Sequence, residues 1–149
     1  MTQSIKTVAI ASDHGGYAMK QFIIKKLKED GWQVVDYGTD SEKSVDYPDY
    51  IHPLASDVNI GNFPLGIILC GSGNGAQMTA NKYENVRAAL CWNTEQAILS
   101  RQHNNANIIS LPGRFVTMED AWKMVYLFLN TSFEGGRHQQ RVDKISNLR

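Results

Sequence analysis

The chain has 149 residues and a formal net charge of zero, from 15 basic and 15 acidic side chains. This length predicts a single domain, residues 1–149, that is large enough to bury a sizeable core. The neutral balance argues against nonspecific binding to nucleic acid or to a membrane surface. The sequence has neither an apolar run of membrane-spanning length nor the apolar core of a signal peptide, so we expect a cytoplasmic protein.

Apolar or β-branched runs alternate along the chain with stretches of helical character. We expect strands at 7–11, 33–37, 65–70, 86–91 and 108–111. We expect helices at 17–30, 50–59, 76–83, 94–101, 118–130 and 137–148. Asn93 or Thr94 can cap the fourth helix, and Thr117 can cap the fifth. Pro53 is acceptable only near the first turn of the second helix.

This strict alternation predicts the α/β class, as a three-layer α/β/α, Rossmann-like domain with a five-stranded parallel sheet. Ligands of such sheets bind at the carboxyl ends of the strands. Asp13 and His14 follow a predicted strand, and Cys70 and Cys91 each end one, so all four fall at that edge. The long polar segment 38–49 predicts a loop with a role in function or in an interface.

The third predicted strand is a continuous apolar run that leads into a glycine-rich loop, Cys70-Gly71-Ser72-Gly73-Asn74-Gly75. Glycines let the backbone turn tightly and bring N–H groups close to a ligand. The helix that follows adds its own unpaired N–H groups. The loop therefore predicts a thiol beside a cradle of donors, suited to a phosphate or to the oxyanion of a reacting sugar.

The same loop also fits a dinucleotide-binding pattern, at Gly71, Gly73 and Ala76. That pattern belongs after the first strand and needs an acidic residue at the end of the next strand, and residues 90–93 contain none. Cys70 stands at a strand end beside amide donors, which favours a reactive thiolate. Cys91 has Trp92 beside it and no polar cluster, so we interpret it as a small buried apolar residue.

Several other polar residues have both a structural and a functional interpretation. Asp13 and His14 lie in the first strand-to-helix turn. Asp13 is either a helix cap or an acceptor for sugar hydroxyls, and His14 is either a surface histidine or a donor to a phosphate. His103 ends a helix whose dipole favours its cationic form, which suits a capping or a catalytic role. Arg137 and Arg141 share one helix face, as a solvated basic tail or as a phosphate clamp.

Arg114 follows the fifth strand and so also falls at the ligand edge, while His52 and the pair Asp46-Tyr47 stay ambiguous. Zinc ligands usually follow one another at short spacings along the chain. A zinc site in this chain would have to be formed by Asp13, His14, Cys70 and His103. These four residues lack the usual short spacings. We therefore predict no metal.

Six segments, in register over nearly the whole chain, carry a resemblance to a known family. They are Ser12-Asp13-His14-Gly15-Gly16, Asp46-Tyr47-Pro48, Cys70-Gly71-Ser72-Gly73-Asn74-Gly75, Ala80-Asn81-Lys82, Ser100-Arg101-Gln102-His103-Asn104 and Glu134-Gly135-Gly136-Arg137-His138-Gln139-Gln140-Arg141. These segments resemble ribose-5-phosphate isomerase type B, and the last two are specific motifs. The wider family also contains the galactose-6-phosphate isomerase subunits and enzymes that act on allose 6-phosphate.

The resemblance implies an aldose–ketose isomerase of the pentose phosphate pathway, without metal or cofactor, that interconverts ribose 5-phosphate and ribulose 5-phosphate. It implies that Cys70 is the base that moves a proton between C2 and C1 through an enediolate, and that His103 opens the furanose ring. Another branch of the family uses a glutamate just after the last glycine, where this chain has Ala76. The implied substrate-binding residues, with the arginines on the phosphate, are Asp13, His14, Gly71, Ser72, Gly73, Asn74, Gly75, Asn104, Arg114, Arg137 and Arg141.

The family is typically dimeric, with active sites at the subunit interface. The resemblance therefore implies a homodimer, or a dimer of dimers, in which the C-terminal helix reaches a partner subunit. Three alternatives stay open from the residues. They are an isomerase of a six-carbon sugar phosphate (allose 6-phosphate or galactose 6-phosphate), a nucleotide-binding module, and a sugar-phosphate-binding protein without catalysis.

Overall fold

The computed structural model describes residues 6–148. Five strands form one sheet, and they are β1 (Thr7–Ser12), β2 (Gln33–Asp36), β3 (Gly66–Cys70), β4 (Ala88–Leu90) and β5 (Ile108–Pro112). The helices of this part of the chain are α1 (Tyr17–Glu29), α2 (Tyr47–Asn59), α3 (Asn74–Ala80), α4 (Thr94–Gln102), α5 (Met118–Leu129) and α6 (Arg137–Asp143). Between residues 6 and 148, no helix combines the length and the apolar character needed to cross a membrane.

The strands lie in the order β2-β1-β3-β5-β4, and every neighbouring pair is parallel. Parallel strands need crossover connections, and here the crossovers place helices on both faces of the sheet. Helices α1, α4 and α5 cover one face, where Leu27 and Phe128 are fully buried against Ile10. Helices α2 and α3 cover the other face, where Ile51 packs in the same cluster as Ile68. The predicted three-layer architecture with five parallel strands is confirmed.

Side-chain caps explain where two of the helices begin. Asn93 Oδ1 accepts a hydrogen bond from the backbone N–H of Gln96 at 2.9 Å, and Thr94 is the first helical residue of α4. Of the two predicted caps for this helix, Asn93 therefore has the role. Thr117 Oγ1 accepts from the N–H of Asp120 at 3.1 Å and caps α5 as predicted.

Helix α2 begins three residues before the predicted position. Asp46 is extended and occupies the N-cap position without a side-chain capping bond, and Pro48 fits the first turn because its fixed φ is already helical. Pro53 therefore lies in the helix interior, and the prediction that it sits near the first turn is wrong. Pro53 has no N–H to donate to the carbonyl of Asp49. Both residues are exposed, so water can donate to that carbonyl instead.

Other boundaries shift by a few residues. Helix α3 runs from 74 to 80 rather than 76 to 83, β4 from 88 to 90 rather than 86 to 91, and α6 ends at 143 rather than 148. Two edges of the sheet organise the rest of the molecule. We call the end at which Ser12, Cys70 and Pro112 finish their strands the carboxyl edge, and the opposite end, at which the helices return to begin the next strand, the amino edge.

Candidate active site

The glycine loop follows Cys70 directly at the carboxyl edge. The Cys70 side chain is buried, at 4% exposure, and its backbone carbonyl accepts from the N–H of Gly113 at 2.9 Å. Gly73 has a φ of +76°, and a Cβ there would lie 2.5 Å from a methyl carbon of Leu90. Glycine is therefore required at this position for both conformation and space. Ser72 Oγ accepts from the N–H of Asn74 at 3.2 Å, which keeps the turn closed.

The turn after β1 packs against this loop. The N–H of Asp13 donates to the carbonyl of Leu69 at 3.3 Å, and Asp13 Oδ1 accepts from the N–H of Gly16 at 3.2 Å. A Cβ on Gly15 would lie only 3.3 Å from the backbone nitrogen of Gly71, so the two loops are in contact. The predicted juxtaposition of Asp13 and the glycine loop is therefore present.

His14 joins the long loop before α2 to the same place. Its Nδ1 accepts from the N–H of Val45 at 3.1 Å. A neutral imidazole that accepts at one nitrogen carries its proton on the other. His14 can therefore donate from Nε2 to an oxygen of a ligand.

Two further side chains cover the glycine loop. The backbone N–H of Arg114, which follows β5, donates to the Gly71 carbonyl at 3.0 Å, and a Cβ on Gly71 would lie 3.2 Å from the side-chain Nε of Arg114. The ring of Tyr47 lies over Gly75, where a Cβ would overlap it. From the sequence the role of Tyr47 is ambiguous, and the motif Asp46-Tyr47-Pro48 is the signal that points to it. We call Asp13, His14, Cys70 to Gly75 and Arg114 the carboxyl-edge cluster.

His103 belongs to a second group of polar side chains. It ends α4, its ring stacks on that of His138 with centroids 4.2 Å apart and an angle of 14°, and its Nε2 lies 3.8 Å from Glu134 Oε1. Burial, followed by the charges of His103 and Arg137, lowers the pKa of His138 and favours its neutral form. His103 is more open, with its side chain 39% exposed.

Helix α6 brings two arginines to the same place. A cavity of about 370 Å³ is lined by His103, Asn104, Arg137, His138 and Arg141, among others. We call these five residues the amino-edge cluster. Arg137 and Arg141 therefore line one cavity together with His103, and a cationic cavity suits a phosphate. Their role as a phosphate clamp stays a prediction. His138 follows Arg137 directly in the sequence, but its stack on His103 and the approach of Glu134 to His103 are not predictable from that position.

The two clusters lie at opposite edges of the sheet. Asn107, which follows the His103 turn, accepts through its carbonyl from the N–H of Gly66 at 2.9 Å, where β3 begins. Cys70 ends the same strand four residues later, which is a distance of about 13 Å at the rise of a parallel strand. One copy of the chain therefore does not bring Cys70 and His103 together, although the sequence predicted both as catalytic.

Residues 8–145 match the family model described as Ribose/Galactose Isomerase. The chain belongs to this family. It is 41% identical over 144 residues to ribose-5-phosphate isomerase B of Escherichia coli, and the aligned region covers 97% of each chain. It is 45% identical over 139 residues to the probable ribose-5-phosphate isomerase B of Mycoplasma pneumoniae, covering 93% of this chain and 91% of that one.

Solved structures of the family agree with the fold. Ribose-5-phosphate isomerase B of Mycoplasma genitalium, crystallised with bound ribulose-5-phosphate, gives a TM-score of 0.91 at 43% identity and covers 97% of this chain and 96% of that chain. The enzyme of Thermotoga maritima gives a TM-score of 0.92 at 45% identity, with coverage of 95% and 97%. The family resemblance that the six motifs predicted is confirmed.

One group of donors in this family member resembles a metal set. Ligand atoms of His103, Glu134 and His138 lie within 4.8 Å of one another. The two imidazoles are stacked nearly parallel, so their nitrogens do not converge on one point, and the cations of Arg137 and Arg141 stand beside them. The arrangement suits an anion better than a metal ion. The four residues weighed above as zinc ligands do not come together either. His103 lies at the amino edge, whereas Asp13, His14 and Cys70 lie at the carboxyl edge.

Cys91 behaves as the sequence analysis expected. It is 1% exposed and packs in the cluster beneath α4 and α5. Burial raises the pKa of the Cys91 thiol to about 11. It therefore remains protonated and serves as a small apolar residue, while Cys70 is the thiol that adjoins the glycine loop.

Proposed function

We propose that this protein is an aldose–ketose isomerase that interconverts D-ribose 5-phosphate and D-ribulose 5-phosphate in the non-oxidative pentose phosphate pathway. The observation that carries the proposal is the carboxyl-edge cluster, in which a buried thiol adjoins a loop of backbone donors in a member of this isomerase family. The names of the bacterial relatives and the ribulose-5-phosphate bound to the Mycoplasma genitalium enzyme support the five-carbon substrate over a six-carbon one.

In the proposed reaction, Cys70 transfers the proton. Its thiolate takes the proton from C2 of the open-chain aldose, and negative charge develops on the oxygen of C1. Backbone N–H groups of residues 71–75 stabilise this enediolate, because donors already held in place lose little reorganisation energy as charge appears. Return of the carbon-bound proton to C1, with transfer of the C2 hydroxyl proton to the oxygen of C1, gives the ketose. Hydrogen moves within the substrate, so the reaction needs no redox cofactor.

Ribose 5-phosphate is mostly a closed furanose, and the ring must open before C2 can react. We assign this step to His103, which protonates the ring oxygen while the anomeric hydroxyl loses its proton. His103 is partly exposed, so it can reach a substrate that approaches from outside its own subunit. A histidine suits this task because an imidazole can both donate and accept a proton.

Charged and polar side chains of both clusters would hold the two ends of the substrate. Arg114 at the carboxyl edge, with Arg137 and Arg141 of the partner subunit, binds the phosphate through planar forks of donors. Asp13, His14 and the partner's Asn104 contact the sugar hydroxyls. Binding the unreactive phosphate positions the reacting carbons at Cys70.

The separation of the clusters by at least the length of β3 implies that a complete site needs two copies of the chain. In a homodimer with two-fold symmetry, each carboxyl-edge cluster meets the amino-edge cluster of the partner, and the dimer has two equivalent sites. A dimer of dimers would keep the same sites. We also propose a cytoplasmic location, where reducing conditions keep Cys70 as a free thiol.

Proton exchange with solvent is the deciding experiment. The protein should convert ribose 5-phosphate to ribulose 5-phosphate and, in D₂O, introduce deuterium at the carbon that Cys70 protonates. A protein that binds ribose 5-phosphate but exchanges no carbon-bound hydrogen would be a binding protein and not an isomerase. Parallel kcat/KM values for ribose 5-phosphate, allose 6-phosphate and galactose 6-phosphate decide the substrate class, and the pentose phosphate should give the highest value.

A further inference from the structure

Arg101 connects three parts of the chain. From α4, its Nε donates to the carbonyl of Thr131 at 3.1 Å, in the segment between α5 and α6. Its Nη1 donates to Asn105 Oδ1 at 3.1 Å and to the carbonyl of Ala106. Its guanidinium also lies over the ring of Phe128 in α5, 5.7 Å from the centroid. One side chain thus bonds the turn after α4 and the segment that leads into α6.

These two segments carry the two halves of the amino-edge cluster. The turn after α4 holds His103 and Asn104, and the segment after Thr131 leads to Arg137, His138 and Arg141 on α6. The stack of His103 on His138 spans the junction between them. A backbone bond from the N–H of Glu134 to the carbonyl of Gln102, at 3.1 Å, is a second link. The distance between His103 and the two arginines of α6 therefore depends on how these two segments are joined.

The turn itself is tight and depends on side-chain donors. Asn105 has a φ of +48°, a left-handed conformation that asparagine tolerates better than most residues. Arg87, which directly precedes β4, donates from Nε to the Asn105 carbonyl at 2.8 Å. Arg101 and Arg87 thus both stabilise this turn, and burial followed by the charge of Arg87 lowers the pKa of Arg101. Arg101 differs from Arg87 because it also donates to the carbonyl of Thr131.

We propose that Arg101 is a positioning residue, which sets the position of His103 relative to the arginines of α6 by bonding both segments at once. The inference rests on the proposed function for its effect on turnover. Its effect on geometry is independent of any activity. Misplacing a catalytic group by about 1 Å can lower a rate by about 10²-fold. Lysine cannot replace Arg101 fully, because a single ammonium lacks the planar fork that serves acceptors on two segments.

Arg87→Ala is the matched control for Arg101→Ala, since it removes a bond from the same turn but none from the segment after α5. The stack is measured by side-chain NMR of the histidines, of which the chain has four. In Arg101→Ala we expect loss of the ring-current shifts of His103 and His138 and a kcat/KM for ribose 5-phosphate about 10- to 100-fold lower. Millimolar guanidinium chloride, but not sodium chloride, should partly restore the ring-current shifts and the kcat/KM of Arg101→Ala. Arg87→Ala should keep the stack and most of the activity.

The outcomes separate the two proposals. Unchanged histidine shifts in Arg101→Ala would overturn the positioning role, and so would equal damage in Arg87→Ala, which would mean that both arginines only stabilise the turn. If Arg101→Ala does not fold, Arg101→Lys and Arg101→Gln provide the same comparison, and wild-type shifts with wild-type kcat/KM in both would refute the inference. An inactive wild-type protein would overturn the proposed function alone, because the NMR comparison does not depend on turnover.

Discussion

Pairing a Cys70→Ala subunit with a His103→Ala subunit is expected to restore activity that neither variant has by itself. In a symmetric dimer with shared sites, one site of this mixed dimer contains both substitutions, and the other contains neither. The reason is the geometry of the sheet, where Cys70 and the turn that carries His103 are separated by about 13 Å along β3. The mixed dimer should therefore have about half of the wild-type activity.

The assay uses two differently tagged copies expressed together, with the mixed dimer isolated through both tags in turn. The rate of ribulose 5-phosphate formation from ribose 5-phosphate is then measured per dimer. Each homodimeric variant serves as the background. Either one should lose roughly 10²–10⁴ of the rate if its residue acts as a general acid or base.

A mirror-image dimer makes the comparison decisive. A subunit with both substitutions, paired with a wild-type subunit, has one substitution in each shared site and should be inactive. If the sites lay within single subunits, this second dimer would keep half of the activity and the first would have none. That result would refute the inference that opposite edges of two copies form the site.

Four single substitutions test separate parts of the structure. Cys70→Ala should lower both the turnover rate and the rate of deuterium incorporation from solvent into the sugar by about 10²–10⁴-fold. Rates within a few-fold of wild type would refute the assignment of Cys70 as the base. Arg137→Ala should mainly raise KM for ribose 5-phosphate, since it removes a fork from the phosphate, and an unchanged KM would return this residue to a solvated basic tail. Asp36→Asn should lower the free energy of unfolding by about 3–5 kcal/mol, because the fully buried Lys20 ammonium loses the carboxylate 2.8 Å away. Lys20→Met should be milder in urea unfolding, since Asp36 is 38% exposed and can bind water, and equal losses would contradict this asymmetry.

Local features of the sequence predicted most of the fold. Helix caps such as Thr117 act within a few residues, so their side-chain chemistry identifies the helix start without tertiary information. The glycine loop was predictable for the same reason, since Cys70 and its donors are contiguous. Pro53 misled the prediction because an exposed helix interior tolerates a proline that leaves a carbonyl to water.

Contacts between distant segments were not predictable in this way. Tyr47 lies over Gly75, and His14 accepts from Val45, because the loop between β2 and α2 packs across the sheet edge. Periodicity and spacing carry no information about such contacts. Arg101 belongs to a motif that the sequence singled out, yet its bonds to two segments emerge only from the folded chain.

The sequence by itself determined the α/β class, the family, and the place of Cys70 before a loop of donors, because each depends on neighbouring residues or on recognisable motifs. It also placed His103 at the end of a helix. Only the tertiary structure decided that this helix ends at the opposite edge from Cys70, since the pairing of Gly66 with Ile108 sets the register of β3 and β5. Sheet order and register arise from the packing of the whole chain, and they separate two residues that the motifs assign to one reaction.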